Sequence, residues 1–476
     1  MAYQTINPYT NELIKTYPDA TDADIKEALD VTGELYQRMK KQPIAERAAI
    51  LHNIAKQFRE NKEELARIAT VDMGKLLSES MGEVELCAII ADYFADHAEA
   101  MLEPTELQTI ANGHAYVEKS STGVLMLVEP WNFPYYQIMR VFAPNFMVGN
   151  PMILKGPSNT PGSSDAFAKM VLAAGAPQGS LVNMWLSYGQ IGEIIADKRV
   201  QGVALTGSER GGRSVAIEAA QNLKKTSMEL GGMDAFVVLD DSNMDEVTNV
   251  AWRARLYNNG QVCTSSKRFI VMSNVYDEFL EKLKANFAAV TMGDPMDAKT
   301  TIAPMNSEKA KKQIQEQVND AVAHGATLYY GGSTVDELDG QFFQPTILTD
   351  IAEDNPARYT EMFGPVASVY KVETEEEAIA LANDSQYGLG GIVFSGDRVR
   401  GERVASQIET GMVFVNSFMT SLPELPFGGI KLSGFGREMS ELGLMAFVNE
   451  KLIVAADHPD LTNVAGGLVA TQELNK

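Results

Sequence analysis

Residues 151–185 read PMILKGPSNTPGSSDAFAKMVLAAGAPQGSLVNMW, and this stretch decides the fold class. A short apolar run, PMILKGP, ends in a turn, and the helical pattern SSDAFAKMVLAAG follows before a second apolar run, GSLVNMW. Short apolar runs joined through a helix are typical of parallel strands that are covered on both faces. The stretch therefore predicts a βαβ unit.

The same rhythm continues on both sides of this unit. Upstream, GVLMLVEP at 123–130 reads as a strand, and downstream VQGVALTGS at 200–208 reads as another. A second cycle begins with DAFVVLDD at 234–241 and RFIVM at 268–272, whereas residues 46–100 carry long helical patterns. Because 476 residues are too many for one ordinary core, the sequence predicts two intertwined α/β domains built on parallel sheets.

Composition disfavours several classes of protein. The formal net charge of −23 argues against nucleic-acid binding, which needs clustered Lys and Arg. No run approaches the ~18 apolar residues of a membrane span, and the mixed opening MAYQTINPYTNELIK predicts no secretory signal. The five histidines are scattered without metal-ligand spacing. We therefore expect a cytoplasmic protein without a metal centre, whose partner is a small molecule rather than nucleic acid or membrane.

The chain has two cysteines, Cys87 and Cys263, whose wide separation is no disulfide framework and is typical of a reducing compartment. Cys87 falls within the apolar helical pattern GEVELCAIIADYF and fits a buried structural thiol. Cys263 instead lies in the polar, Gly-containing segment NNGQVCTSSKR, between a predicted helix and a predicted strand. Backbone N–H groups in such a turn favour the thiolate, so Cys263 is the candidate nucleophile.

Six short segments are together similar to motifs of the aldehyde dehydrogenase superfamily, in the order in which that family carries them. They are PWNFP at 130–134, TGS at 206–208, MELGG at 228–232, GQVC at 260–263, EMFGPV at 361–366 and PFGGIKLSGFGRE at 426–438. Each segment is weak alone, but the ordered set is specific. The similarity runs from the first helices to about residue 450.

The resemblance implies an α/β fold of the aldehyde dehydrogenase type, with a Rossmann-type cofactor domain, an α/β catalytic domain and a β extension for oligomerisation. The implied boundaries are 1–102 with 122–231 for the cofactor domain, 232–450 for the catalytic domain, and 103–121 with 451–476 for the oligomerisation segment. Family members assemble through that extension, so we expect a homodimer or a homotetramer.

The resemblance also implies three catalytic residues, Cys263, Asn132 and Glu229. Cys263 would attack the aldehyde carbon, and the Asn132 side-chain amide, which cannot ionise, would donate to the resulting oxyanion. Glu229 would be the base that hydrolyses the thioester, since a partly desolvated carboxyl has an increased affinity for protons. From composition alone, Asn132 would be a turn residue and Glu229 a solvated one. With both present, the implied product is a free acid rather than a coenzyme A ester.

The cofactor site lacks the ordinary dinucleotide fingerprint, because no GxGxxG occurs at a strand-to-helix turn. Gly207 and Ser208 lie where a predicted strand ends and a helix begins, and the amide groups of such a turn can receive a phosphate. A purely structural turn is the alternative. By resemblance, Glu361 would hold the nicotinamide ribose, Phe363 would back the ring, and Trp131 would also contact the cofactor.

Lys155 and Ser158 bear on the choice of cofactor. Lys155 matches the family lysine that holds the adenosine ribose. Many NAD-specific members carry Glu three residues later, where this chain has Ser158. A small neutral hydroxyl leaves room for a 2′-phosphate, with which Lys155 would pair. We therefore expect NADP as the preferred cofactor, with NAD as the alternative; if Ser158 is only a turn residue, the preference stays undecided.

Four residues, Tyr136, Arg140, Tyr257 and Phe427, are predicted to bind the aldehyde, with Phe427 at the tunnel mouth. Tyr136 and Arg140 are four residues apart and share one face of the helix that Pro134 is predicted to open. Arg140 falls where succinate-semialdehyde dehydrogenases of the family carry an arginine for the substrate's distal carboxylate. An ordinary salt bridge to a neighbouring helix is an equally weighted alternative.

Position 257 departs from the pattern of those enzymes, which often carry a second arginine six residues before the nucleophile, where this chain has Tyr257. Arg255 is near in sequence but would point elsewhere. The expected activity is NAD(P)-dependent oxidation of succinic semialdehyde, or a similar short semialdehyde, to the carboxylic acid. A general aliphatic aldehyde dehydrogenase, a non-phosphorylating dehydrogenase of a phosphorylated aldehyde, and a binding protein without turnover are the open alternatives.

Overall fold

A computed structural model describes residues 3–109 and 113–457 of the chain. Within those ranges no helix is both long and apolar enough to cross a membrane. The α-helices in chain order are α1 (Asp22–Met39), α2 (Ile44–Glu60), α3 (Lys62–Met73), α4 (Leu77–Met101), α5 (Tyr136–Val148), α6 (Pro161–Ala173), α7 (Tyr188–Ala196), α8 (Glu209–Gln221), α9 (Met244–Leu256), α10 (Ser273–Ala288), α11 (Glu308–Ala323), α12 (Glu375–Asn383), α13 (Arg398–Ala405) and α14 (Ser440–Met445).

The strands fall into three larger sheets and two small ones. In chain order they are β1 (Tyr3–Ile6), β2 (Leu13–Tyr17), β3 (Thr105–Glu106), β4 (His114–Ser121), β5 (Val124–Val128), β6 (Met152–Lys155), β7 (Leu181–Asn183), β8 (Val200–Thr206), β9 (Lys225–Glu229), β10 (Ala235–Val238), β11 (Arg268–Met272), β12 (Thr327–Tyr330), β13 (Thr346–Thr349), β14 (Val366–Val372), β15 (Tyr387–Gly388), β16 (Gly391–Phe394), β17 (Phe414–Val415), β18 (Ile430–Lys431), β19 (Gly434–Phe435) and β20 (Val448–Ala455).

The first large sheet has the order β19-β9-β8-β5-β6-β7. The βαβ unit predicted for 151–185 is present as β6, α6 and β7, and its two strands pair in parallel. The strands predicted at 123–130 and 200–208 are β5 and β8, which are also parallel neighbours. The strands β5, β6 and β8 bury almost every side chain, which is why their sequences are largely continuous apolar runs.

The second large sheet has the order β12-β13-β14-β11-β10-β16-β17. The strands predicted at 234–241 and 268–272 are β10 and β11, which pair in parallel at its centre. Only β12 at the edge runs antiparallel to its neighbour. The prediction of an α/β fold built on parallel sheets is therefore confirmed.

Long helices fill the region 46–100, as predicted, and α2, α3 and α4 pack together and against α5. Their shared core is apolar and includes fully buried Phe58 and Phe94. Cys87 on α4 is also fully buried there and free, as its apolar surroundings in sequence predict.

A third sheet has the order β20-β4-β3 and is antiparallel throughout. It joins the two segments expected to mediate oligomerisation, 103–121 and 451–476, although β20 begins at Val448 and so starts before the second of them. Residues 110–112 and 458–476 of those segments lie outside the described residues.

The prediction that Pro134 opens α5 is wrong by two residues, since the helix begins at Tyr136. The cause is Glu83 on α4, whose carboxylate Oε1 accepts the backbone N–H groups of Tyr135 at 2.8 Å and Tyr136 at 2.9 Å. A carboxylate at a helix N-terminus satisfies donors that have no partner within the helix and complements the helix dipole. Glu83 therefore fixes where α5 starts and leaves residues 130–134 as a turn.

A second remote carboxylate, that of Asp72 on α3, fixes the start of α6, the helix that follows β6. Asp72, 1 % exposed, accepts the backbone N–H of Ser163 at 2.6 Å and its hydroxyl at 2.8 Å. The Thr5 hydroxyl of β1 donates to the other oxygen of Asp72 at 2.5 Å. The N-cap residue of α6, Thr160, makes no side-chain capping bond. Asp72 thus ties β1, α3 and the start of α6 together.

We expect Asp72→Ala to lower the free energy of unfolding by about 2–3 kcal/mol, because it removes hydrogen bonds to a buried carboxylate and leaves the Thr5 and Ser163 donors without a partner. Urea denaturation followed by tryptophan fluorescence measures the change. Asp165→Ala is the matched control, because Asp165, on the capped helix α6, pairs with Lys169 at the surface; about 0.5 kcal/mol or less is expected for it. Equal losses in the two variants would contradict the capping role.

Candidate active site

A cavity of about 300 Å³ lies beside Cys263. Its lining includes the four residues predicted to bind the aldehyde, which come from three separate parts of the chain. Tyr136 and Arg140 stand on α5, Tyr257 follows α9, and Phe427 precedes β18. The fold therefore gathers the predicted nucleophile and the predicted substrate contacts around one small, largely apolar space.

Asn132 lies behind this cavity, in the turn between β5 and α5, and is 4 % exposed. Its side-chain Nδ2 donates to the backbone oxygen of Gln261 at 3.0 Å, two residues before Cys263. Its backbone oxygen accepts the side-chain amide of Asn258 at 2.9 Å. An amide NH₂ carries two N–H donors, and the contact to Gln261 uses one of them.

A left-handed turn precedes the nucleophile. Asn258, Asn259 and Gly260 have φ values of 50°, 53° and 73°. Such angles are uncommon outside glycine, and Asn is among the residues that tolerate them best. Glu79 on α4 supports the turn by accepting the N–H of Asn258 at 3.0 Å, and burial raises the pKa of Glu79 to about 7. Sequence analysis missed this support, although the NNG tripeptide was its signal.

Cys263 is half-buried, and desolvation raises the pKa of its thiol to about 11. Arg140 and Lys267 oppose this shift through their positive charge, whereas Asp234 and Glu361 add to it. The expectation that the polar turn favours the thiolate is therefore wrong for the resting protein, because desolvation outweighs the polar surroundings. The thiol is neutral until something further stabilises its anion.

Glu229 ends β9 and is 1 % exposed. Burial and then the neighbouring Glu438 raise its pKa well above the ordinary value, while Arg140 opposes the shift. Glu129 is a third buried carboxyl of this group, and its pKa is raised by burial and by Glu438 as well. Neither Glu129 nor Glu438 was singled out from sequence, because only the fold reveals that three carboxyls share one arginine.

Arg140 is 1 % exposed and occupies the centre of this acidic group. Its guanidinium forms an ion pair with Glu438 and donates to the Thr206 hydroxyl at 3.0 Å. It also contacts the Tyr136 hydroxyl at 3.4 Å and lies 4.3 Å from the centroid of the Phe427 ring. Arg140 therefore makes a salt bridge, with a loop residue rather than with a neighbouring helix, and the same guanidinium lines the cavity; its contact with a substrate stays a prediction.

Tyr257 contributes an aromatic wall to the cavity. Its ring centroid lies 5.8 Å from that of Phe133, and burial, followed by the charges of Glu79 and Glu83, raises the pKa of its hydroxyl. Arg255 points away from the cavity and is fully buried, with its guanidinium donating to backbone carbonyls of the segment around Gly364. Tyr257, not Arg255, thus stands beside Cys263.

The predicted phosphate turn at TGS is present between β8 and α8. The Gly207 N–H donates to the backbone oxygen of Glu229 at 2.9 Å, which links this turn to the end of β9. Ser208 is the N-cap residue of α8, and its hydroxyl accepts the N–H of Gly211 at 3.3 Å. The remaining N–H groups of the first turn point out of the helix end, where an anion is favoured.

Lys155 lies at the end of β6 and is 8 % exposed. Burial lowers its pKa to about 8, and within the described ranges its ammonium has no hydrogen-bond or ion-pair partner. The half-buried Ser158 follows in the next turn, with no acidic side chain at that position. The exposed ring of Tyr188 lies 5.9 Å from the ammonium and was not predicted from sequence. A buried cation without a counter-ion is suited to a phosphate.

The three remaining predicted cofactor contacts lie together on the other side of Cys263. The rings of Trp131 and Phe363 meet edge to face, 5.8 Å apart. Glu361 accepts the N–H of Gly232 at 3.1 Å and lies 3.3 Å from the ammonium of Lys267. Lys267 was not singled out from sequence.

We expect the alkylation rate of Cys263 by iodoacetamide to keep rising with pH into the strongly alkaline range, because the thiol pKa is raised to about 11 and only the thiolate reacts. Peptide mapping of the alkylated native protein measures the rate. Cys87, whose pKa burial raises well above the ordinary value, serves as the internal control and should stay unlabelled until the protein unfolds. A plateau reached below about pH 8 would contradict the desolvated thiol.

Comparison with known proteins agrees with this geometry. The chain is 45% identical over 453 residues to a succinate-semialdehyde dehydrogenase [NADP(+)] of Deinococcus radiodurans, covering 95% of this chain and 94% of that protein. The structure of a succinic semialdehyde dehydrogenase from Streptococcus pyogenes in complex with NADP+ matches with a TM-score of 0.94 and 55% identity, over 96% of this chain and 100% of that one. The apo betaine aldehyde dehydrogenase of Staphylococcus aureus matches with a TM-score of 0.92 and 30% identity, over 97% and 94%. The model of the aldehyde dehydrogenase family matches residues 1–453, and the chain belongs to that family.

Proposed function

We propose that the protein oxidises succinic semialdehyde to succinate with NADP as the preferred cofactor. The observation that carries the proposal is the guanidinium of Arg140 in the lining of the same cavity of about 300 Å³ as the Cys263 thiol. A short aldehyde with a distal carboxylate can engage both groups at once. The names of the relatives in Deinococcus radiodurans and Streptococcus pyogenes support this substrate and this cofactor.

Bond formation begins at Cys263. Its thiolate attacks the aldehyde carbon, and the resulting oxyanion accepts the free N–H of the Asn132 amide and the backbone N–H of Cys263. Such preorganised donors are each worth about 10²–10³ in rate. Glu361 and Phe363 would hold the nicotinamide end of the cofactor, which would supply the acceptor for the hydride that leaves the thiohemiacetal carbon. A thioester on Cys263 is then left in the cavity.

Glu229 completes the reaction as the base for thioester hydrolysis. Burial and Glu438 raise the pKa of this carboxyl well above its ordinary value, so the fraction that is ionised and able to accept a proton from water increases as pH rises. Arg140 and Arg437 favour the carboxylate form, while Glu438 disfavours it. Hydrolysis should therefore accelerate as pH rises.

The preference for NADP is supported by the pocket at the end of β6. Lys155 is a mostly buried ammonium without a protein counter-ion, and Ser158 leaves space and no negative charge where a 2′-phosphate would lie. Tyr188 offers an exposed ring at the same place. NAD, which lacks the phosphate, would leave the Lys155 charge without a partner, so it is the poorer cofactor.

Assembly is proposed to use the sheet β20-β4-β3. Its strand β20 lies at the sheet edge and exposes apolar side chains, with Leu452 60 % and Val454 48 % exposed. An exposed apolar edge strand is normally covered by another chain, which supports a homodimer or homotetramer. We propose the same division of the chain into cofactor, catalytic and oligomerisation regions that is expected from sequence. Two free cysteines support a cytoplasmic location.

The first test of the substrate compares kcat/KM for succinic semialdehyde with that for butanal, which lacks the carboxylate. We expect a preference of about a hundredfold, equivalent to roughly 2.7 kcal/mol. In Arg140→Leu the preference should fall to a few-fold. The ratio of the two kcat/KM values is decisive. Loss of Arg140 leaves Glu438 without its ion pair and so perturbs Glu229, but this affects both substrates alike.

Arg437→Leu is the matched control for Arg140. Its guanidinium donates to the backbone oxygens of Gly429 at 2.9 Å and Gly436 at 2.6 Å and does not line the cavity. The substrate preference should survive this change. A wild-type preference near unity would instead favour a general aliphatic aldehyde dehydrogenase.

Glu229→Gln should separate the two halves of the reaction. We expect hydride transfer to be unaffected, so that a burst of one equivalent of reduced cofactor still forms. Steady-state turnover should fall by about 10²–10⁴-fold, because no base activates water for thioester hydrolysis. Stopped-flow absorbance of the reduced nicotinamide measures both phases. Cys263→Ser, as the control, should show neither. Loss of the burst in a folded Glu229→Gln variant would argue against Glu229 as the hydrolytic base.

A further inference from the structure

Lys267 is a buried cation that the proposed reaction does not use. Its side chain is 3 % exposed. Its ammonium donates to the backbone oxygens of Cys263 at 2.7 Å, Val262 at 2.9 Å and Ser265 at 3.4 Å. All three belong to the short loop that ends at Lys267, so the side chain fastens the nucleophile loop to its own end.

A further oxygen beside this ammonium comes from a distant part of the chain. Glu361 Oε1 lies 3.3 Å from Lys267 Nζ, which is longer than the two shortest carbonyl contacts. The ring centroid of Phe363 lies 5.9 Å from the same Nζ. Because an ammonium has three N–H donors, Glu361 and the three loop carbonyls compete for them, and Glu361 is the one partner that belongs to another part of the chain.

We propose that Lys267 is a positioning residue that ties the Cys263 loop to Glu361 and holds a positive charge beside the thiol, so that engagement of Glu361 by the cofactor is transmitted to the nucleophile. This inference rests on the proposed function, in which Cys263 is the nucleophile and Glu361 a cofactor contact. It assigns a role to a side chain that lies between the two.

The charges around the thiol give the sign of the effect. Burial raises the pKa of Cys263 most, Arg140 and Lys267 lower it, and Asp234 and Glu361 raise it. When the ribose hydroxyls of a bound cofactor donate hydrogen bonds to Glu361, that carboxylate would compensate the charge of Lys267 less. The positive potential at the thiol then increases, and its pKa falls.

The same arrangement explains why the lysine can remain charged in a dry site. Burial lowers the pKa of Lys267, but Glu361 and Asp234 oppose that shift, while Arg255 adds to it. The carbonyl contacts satisfy its donors at all times. Lys267 therefore keeps its place in the loop whether or not Glu361 is engaged elsewhere.

The test is the pH dependence of Cys263 alkylation by iodoacetamide in the protein without cofactor. Lys267→Met keeps the length of the side chain and removes its charge, so the rate at about pH 8 should fall by about tenfold, equivalent to a rise of about one pKa unit. Glu361→Gln should shift the rate in the opposite direction. Opposite signs from two neighbouring substitutions are not a result of misfolding, and Lys267→Arg should recover part of the rate.

A second measurement repeats the alkylation with saturating NADP. The wild-type rate should rise, and the rise should shrink several-fold in Lys267→Met. Lys26→Met, which removes a surface lysine that pairs with Asp30 far along the chain from the thiol loop, is the control and should leave both profiles unchanged. If Lys267→Met matches the wild type both with and without NADP, the inference is overturned.

The proposed function fails by a different result. If Cys263→Ser still oxidises succinic semialdehyde, Cys263 is not the nucleophile, whatever Lys267 does to its reactivity. If Cys263→Ser is inactive and Lys267→Met leaves the alkylation profile unchanged, the function stands and the inference about Lys267 alone is wrong.

Discussion

The hydrogen bond from Asn132 Nδ2 to the backbone oxygen of Gln261 is the contact on which the rest of the site depends. It joins the turn after β5 of one sheet to the loop before β11 of the other. The side chain of Asn258 returns a bond to the backbone of Asn132, so each loop limits the other. The left-handed backbone at Asn258 is strained for a residue with a side chain. It persists because the N–H of Asn258 donates to the carboxylate of Glu79, which the long helix α4 holds in place. The position of Cys263 is thus set by contacts outside the cavity.

Around that frame, burial decides the protonation of the reacting groups. Glu129, Glu229 and Glu438 share the single guanidinium of Arg140, and desolvation favours their neutral forms. The ion pair with Glu438 stabilises Arg140 in a site where an unpaired guanidinium would be costly. A guanidinium has five N–H donors, so this pairing does not exhaust it. The same buried charge therefore makes the salt bridge with Glu438 and presents a cation, already held in place, to the cavity beside Cys263.

The fold followed from local pattern to a large extent, because parallel strands covered on both faces have to be apolar runs and the helices between them have to be amphipathic. Pairing between distant segments had no local signal: β19 joins β9 and β20 joins β4, although hundreds of residues separate the two strands of each pair. The site divides in the same way. Residues within the recognised motifs could be named, but Glu79, Glu129 and Lys267 act through neighbours that only the fold supplies. The thiolate expected at Cys263 failed because polar residues nearby in sequence do not report how much water reaches the sulfur.

Two buried lysines show how the fold distributes charge between binding and reactivity. Lys267 satisfies its donors with the carbonyls of its own loop, so its charge is fixed in place and acts on Cys263. Lys155 has no such partners within the described residues, and burial alone lowers its pKa to about 8. Its cationic form is therefore only marginally favoured near neutral pH and is strengthened by an anion that enters the pocket. Lys267 thus fastens the loop that carries Cys263, whereas Lys155 has donors left for an anionic ligand. The difference lies in whether the surrounding backbone offers carbonyl oxygens to the ammonium.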